Sequence, residues 1–267
     1  MHEHRLKQIE RRLLEMSAPF PEPTPEQARA GGLASLMGAR ARSLYGGFLH
    51  SLSGSSQPST LIELRPLVEL AILLKWYSIQ PELHGILWNA QSEAADLRVI
   101  EESQQYLGVT NPSSIPDAEL TRQRAAKRRV VSEARALLKK IGRDYGSRVA
   151  PGVGRMVAEI VEADPGHAIA VRQAYIVAYR NFSPWVHSEA ASFKSTTRDI
   201  SSTRAEFVGD RIPVSTMNLR LLGGAMLAYC IEVVSSLMPN PSRLAEARSL
   251  RDELVDADAY LARLSAE

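Results

Sequence analysis

The sequence predicts an all-α fold, a helical bundle of about nine to ten helices with an N-terminal helical arm. Three observations point there. Apolar residues recur at helical spacing in nearly every segment, and strand-like alternation flanked by hairpin signals is almost absent. Proline and glycine fall mostly between the periodic segments, where they start and stop helices. Finally, the 267 residues are 45% apolar and 23% charged, which supports a sizeable core and excludes global disorder.

In chain order, residues 2–16 form a charged amphipathic helix with Leu6, Ile9, Leu13 and Leu14 on one stripe. The segment PFPEPTPE follows, with four prolines between Pro19 and Pro25, and reads as an extended, semi-rigid tether. Residues 1–25 are thus an arm and tether, and 26–267 a single all-α domain. A second helix runs from Glu26 to His50 with a stripe of Leu33, Leu36, Met37, Leu44 and Phe48, and GSSQPS at 54–59 breaks it. Thr60-Leu-Ile-Glu63 is a capping-box pattern. The run behind it, LIELRPLVELAILLKWY, is apolar nearly all round and reads as the central buried helix, kinked or restarted at Pro66. Pro81 opens a helix to Leu107, and Ser114-Ile-Pro116-Asp117 opens a long one to Ile141. A short helix ends at Glu162. Asp164-Pro165 caps the next, and Ser183-Pro184 caps another, with serine at N-cap and proline at N1. Residues 197–214 lack a clear period and read as a long loop or small hairpin. Leu219–Met238 is an apolar helix, and the last helix runs from Ser242 to Leu264.

Leu219–Met238 is long enough to span a bilayer. Arg220, Glu232 and Gly223-Gly224 within it favour a buried core helix, so no membrane partner is expected. The start, MHEHRLKQIERR, is polar and does not read as a signal peptide, and the expected location is cytoplasmic. Cys230 is the one cysteine, which excludes a disulfide framework and multi-cysteine metal sites within a chain. There is no phosphate-loop, H-E-x-x-H, C-x-x-C or G-x-S-x-G motif. No cofactor and no metal are expected. The arm cannot bury its leucine stripe alone, so it packs on its own body or on a partner, and a homodimer is the expected assembly.

Net charge is +2, but its distribution is uneven. Between Arg122 and Arg155 there are eleven basic residues against Glu133 and Asp144, so this segment carries +9 and the remainder −7. Arg124, Arg128, Arg135 and Lys139 could lie along phosphates, which makes RNA the expected partner. The alternative is a solvated face, or one paired with acidic residues of the last helix (Asp252, Glu253, Asp256, Asp258).

The segment AYRNFSPWVHSEAASF at 178–193 concentrates the most reactive residue types. Tyr179, Ser183 and His187 lie four apart, and Arg180-Asn181 precedes His187 with six residues between Arg180 and His187. Arg180 falls in the last turn of one helix and Ser183 caps the next, so Arg180 and His187 can converge on one side of the bend. A helix N-terminus disfavours imidazolium, which suits His187 as a neutral general base. Arg180 could supply fixed positive charge to a phosphate or oxyanion. On an upstream apolar helix, Arg65 and Glu69 share a face at i, i+4. They read as an intrahelical ion pair at a kink, or as a polar cluster that holds His187 or Tyr179.

Arg180-Asn181…His187 resembles the signature of the HEPN domains, an arginine followed by a polar residue and, after a short spacer, a histidine. The Tyr179, Ser183, His187 spacing with Arg65 and Glu69 upstream also resembles a bacterial helical family of unknown function. The HEPN resemblance implies an all-helical fold, dimers, and metal-independent endoribonuclease activity of toxin or defence type, or an inactive relative. It implies Arg180 and His187 as catalytic residues, with Tyr179, Asn181, Ser183, Arg65 and Glu69 in support. The residues by themselves leave two other readings open: a non-enzymatic helical interaction or regulatory protein, and a small-molecule-binding bundle lined by Arg65, Glu69, Tyr179 and His187.

Overall fold

The computed structural model describes residues 3–17, 24, 28–53, 57–107, 117–167, 171–172, 175–176, 197–201, 204–207 and 216–264. Among the described residues there are eight α-helices: α1 (Glu3–Met16), α2 (Ala28–Ser53), α3 (Gln57–Ile79), α4 (Pro81–Leu107), α5 (Asp117–Lys140), α6 (Val153–Ala163), α7 (Thr216–Leu237) and α8 (Pro241–Leu264). Pro165–His167 make a single 3-10 turn. Strands β1 (Thr197–Ser201) and β2 (Arg204–Phe207) pair as an antiparallel hairpin, with an irregularity between Asp199 and Ser201. The fold is helical, as the sequence predicts. The further helices expected between 166 and 196 lie largely outside the described residues.

The chain gathers into two compact units, one of residues 1–78 with 157–267, the other of residues 79–156.

In the first unit α7 is the helix on which α1, α2 and α8 pack. Fifteen of its residues are buried, Leu219 through Ser235 with few gaps. By length and composition α7 could cross a membrane, and 78% of its most apolar window is buried inside the structure. Its Cys230 is fully enclosed, and burial pushes the thiol up to about 12, so it is a poor nucleophile. α3 is also buried nearly all round, from Leu64 to Tyr77, and it continues through Pro66 without ending. On α2 the buried stripe is Ala34, Met37, Ala41, Leu44, Tyr45 and Phe48, and Leu36 is instead 70% exposed. The expected stripe placed Leu36 inside. Small residues, Ala34 and Ala41, take the contact because α2 lies close to α7.

That closeness depends on adjacent glycines that serve different neighbours. A Cβ on Gly223 would stand 2.6 Å from the Phe48 ring, and one on Gly224 would stand 3.1 Å from a Leu254 methyl. Phe48 cannot swing away, being fully buried and stacked on Tyr45 at 5.9 Å. Gly223→Ala is therefore expected to destabilise the protein by about 1–2 kcal/mol, since overpacking outweighs alanine's better helix propensity. Gly224→Ala should be close to neutral, because the Leu254 methyl can give by a few tenths of an ångström. Urea unfolding of both variants checks this, and an equal or higher midpoint for Gly223→Ala would refute it.

α1 does not stand free. Leu6, Ile9, Leu13 and Met16 are at most 5% exposed, covered by α7 and α8. Arg5 donates to both oxygens of Glu253 (2.8 and 2.7 Å), and Arg12 grips Glu246 in the same two-pronged way. From the other side, Arg220 of α7 donates to both oxygens of Glu10 (2.8 and 2.7 Å). The guanidinium hydrogen bonds hold the Glu246 and Glu253 carboxyls below their ordinary range. Their contribution to docking is thus fully present above the free carboxylate value of about 4, and is lost as pH falls through the lower docked-state value.

The second unit is built on α4 and α5, packed together. Arg128 meets Glu101, Lys127 meets Glu93 and Asp96, and Val149 beyond the helix meets Gln91, so the two run antiparallel. After α5, Gly142 takes φ +67°, the Gly142 N–H donates to the Lys139 carbonyl and the Arg143 N–H to the Leu138 carbonyl. This is a glycine-terminated Schellman cap, and it fixes where the helix stops. Gln91 then accepts from the N–H groups of Val149 and Ala150 at 2.9 and 3.3 Å, which ties the returning loop to α4.

Candidate nucleic-acid interface

The basic residues of α5 divide by position on the helix. Leu120, Val131, Ala134 and Leu138 recur at helical spacing and are buried. Arg124 and Lys127 fall on that same stripe, between Leu120 and Val131, and are half-buried. A cation placed there needs a carboxylate. Lys127 Nζ donates to Asp96 at 2.8 Å and to Glu93, and those two hydrogen bonds raise its pKa. Arg124 also engages other groups of the protein. Both side chains are therefore committed within the fold.

The remaining cations lie on the outer surface. In the first half of the helix they have partners: Arg122 with Glu119 (3.2 Å), Arg128 with Glu101 (3.2 Å) and Arg129 with Glu133 (2.7 Å). These pairs are exposed, and such pairs are weak and easily exchanged. The second half differs. Arg135, Lys139 and Lys140 are exposed and form no ion pair among the described residues. Lys139 and Lys140 sit in the last turn, where the carbonyl end of the helix dipole favours positive charge. The alternative pairing with the last helix is not what Glu253 does, since it is taken by Arg5. A groove of about 290 Å³ is lined by Glu93, Gln123, Ala126, Lys127 and Val130. Its charges neutralise one another, so it offers an anion little.

The other residues singled out from the sequence are placed as follows. Arg65 is buried on α3, and its Nε donates to Glu69 Oε1 at 3.0 Å, the intrahelical ion pair that the i, i+4 spacing allows. Tyr179, Arg180, Asn181, Ser183 and His187 lie outside the described residues. Among the described residues no three His, Cys, Asp or Glu side chains gather in a way that could hold a metal ion.

Sequence reasoning noted Glu232 and Arg220 only as charges inside an apolar helix. The structure shows what each one does. Glu232 is 4% exposed and accepts from Arg248 Nε at 2.9 Å and from Arg251 of α8. Arg251 also lies 6.0 Å from the centre of the Tyr229 ring. The available signal was that a charge amid apolar residues demands a partner, but the partner's identity was not local. Trp76 Nε1 donates to Glu159 at 2.8 Å and Lys75 to Asp164 at 2.7 Å, so the end of α3 is held in the same manner.

Comparison with protein-family models, with curated proteins and with solved structures finds no match.

Proposed function

We propose that this chain binds RNA through the second half of α5, and that it is a HEPN-like metal-independent endoribonuclease or a catalytically silent relative. The observation that carries the binding reading is the group of exposed cations Arg135, Lys139 and Lys140, which no carboxylate among the described residues neutralises. Unpaired surface cations release condensed counterions when they meet phosphates, and that release drives association. The catalytic reading is supported by the sequence spacing Arg180-Asn181…His187. In it, His187 removes the proton from a ribose 2′-hydroxyl, and the 2′-oxygen attacks the adjacent phosphorus. Arg180 stabilises the charge of the pentacovalent phosphorane, and the 5′-oxygen leaves. The products are a 2′,3′-cyclic phosphate and a 5′-hydroxyl, so no metal is needed.

The binding reading separates the two halves of α5. Arg135→Glu with Lys139→Glu is expected to weaken RNA binding and to flatten its salt dependence by roughly 1.4 in the log–log slope, for two lost contacts to a single strand. Arg128→Glu, which removes a cation already facing Glu101, should do less. Filter binding or fluorescence anisotropy at several salt concentrations reads both effects. Absence of RNA binding at low salt, or binding indifferent to the double reversal, would leave α5 a structural helix and favour the non-enzymatic interaction protein.

A further inference from the structure

The outer face of α2 is open to solvent and lacks the charges that a solvent-facing helix ordinarily carries. From Gly32 to His50 it presents Leu36, Ala39, Ser43 and Gly46, with no Lys, Arg, Asp or Glu among them. Leu36 is 70% exposed, the most exposed large apolar side chain among the described residues. A Cβ on Gly32 or on Gly46 would meet nothing within 4 Å. Packing within the chain therefore requires neither glycine, although each weakens the helix relative to alanine. Short side chains on a helix face let the axis of a second helix come close.

The charges at one edge of this face say what covers it. Arg40 is exposed and forms no ion pair among the described residues. Gly47 lies about two helical turns further along the same edge. There the Glu63 side chain of α3 arrives, its Oε2 3.1 Å from where a Cβ on Gly47 would stand. Glu63 is half-buried and also forms no ion pair among the described residues. One edge thus carries an unpaired cation before Ser43 and an unpaired carboxylate after it.

We propose that α2 packs against α2 of a second copy, antiparallel, about a two-fold axis at Ser43. Leu36 of each copy then comes opposite His50 of the other, and Ala39 opposite the Gly46-Gly47 pair. At 1.5 Å per residue, Arg40 lies about 4.5 Å before Ser43 and Gly47 about 6 Å after it. The axis keeps the two edges on one side, so Arg40 of each copy arrives beside Glu63 of the other. The ion pair is made twice, and no like charges meet. A parallel pairing would put the edges on opposite sides and leave all four charges unpaired. This dimer does not need the arm, whose stripe is covered by its own chain. Nor does it depend on RNA binding or nuclease activity. A face of this length, about 27 Å, is smaller than a standard interface, so the dimer forms only as concentration rises.

The test is light scattering on the full chain from about 1 to about 300 μM. The wild type should move from the mass of one chain towards twice that mass. Arg40→Glu and Glu63→Arg each bring like charges together at two places, and each should raise the dissociation constant about tenfold. The double variant Arg40→Glu with Glu63→Arg restores opposite charges and should dimerise as the wild type does. Gly46→Leu should keep or raise the melting temperature of the dilute protein, because leucine is the better helix former, yet it should block dimerisation. Helical circular dichroism should be unchanged in every variant. A wild type that stays at the mass of one chain at the highest concentration overturns the proposal. So does a dimer that Gly46→Leu or either single reversal leaves undisturbed, or one that the double reversal fails to restore.

Discussion

Glu232→Ala is expected to lower stability by about 3 kcal/mol, the largest structural effect of any single substitution considered. The carboxylate is 5% exposed and accepts from two arginines of α8, Arg248 and Arg251. Taking it away leaves the Arg251 guanidinium, with a side chain only 17% exposed, without its enclosed counter-charge. The cost is that of a guanidinium left with only the exposed Asp252, 2.9 Å away, as its partner, rather than the net worth of the pair, which is smaller. Arg248 reaches the same carboxylate with a side chain 52% exposed, so Arg248→Ala should cost less than about 1 kcal/mol. Glu232→Gln keeps an acceptor and should fall between the two. Denaturant midpoints with unchanged slope would report the order. A Glu232→Ala protein as stable as Arg248→Ala would show that water or other groups replace the carboxylate without penalty.

Under the proposed nuclease reading, His187→Ala abolishes RNA cleavage and leaves fold and RNA affinity largely intact, because it removes a base and not a phosphate anchor. Arg180→Ala lowers the rate by about 10²–10³, the usual loss when a developing oxyanion loses one donor. Chelator should have no effect, and products should end in cyclic phosphate. A silent relative, or a purely structural junction, behaves differently. The wild type then cuts no RNA, and His187→Ala lowers the melting temperature through an unsatisfied buried partner worth about 1–3 kcal/mol. Melting temperature and cleavage measured on the same two variants separate these readings, and a lowered melting point with an inactive wild type would sink the enzymatic one.

Much of the helical scaffold was legible in the sequence because the signals are local. Proline at a first turn placed the start of α4 at Pro81, and its apolar period carried it to Leu107. Asp117 behind Pro116 opened α5, which was expected to run to Ile141 and ends at Lys140. Each such signal acts within a turn or two of chain, which is the range of a backbone hydrogen bond or a cap. The i, i+4 pair Arg65–Glu69 was legible for the same reason.

The choice of partners was decided only by tertiary structure. Eleven basic residues between 122 and 155 look equivalent in sequence, yet Lys127 is committed to Glu93 and Asp96 while Arg135 and Lys139 stay exposed. The difference comes from where each falls relative to the seam with α4, and that seam depends on how two separate helices dock. Leu36 looked like core and is exposed, because the approach of α2 to α7 is set by Gly223 against Phe48 and selects small residues at the contact. Arg5 finds Glu253 across 248 positions of chain and Arg220 finds Glu10 across 210. The sequence determined that the arm is an amphipathic helix whose stripe needs cover, since periodicity is a property of one segment. That the cover is α7 and α8, with charges in matching register, was decided by the fold, since complementarity belongs to surfaces that exist only after the helices have packed.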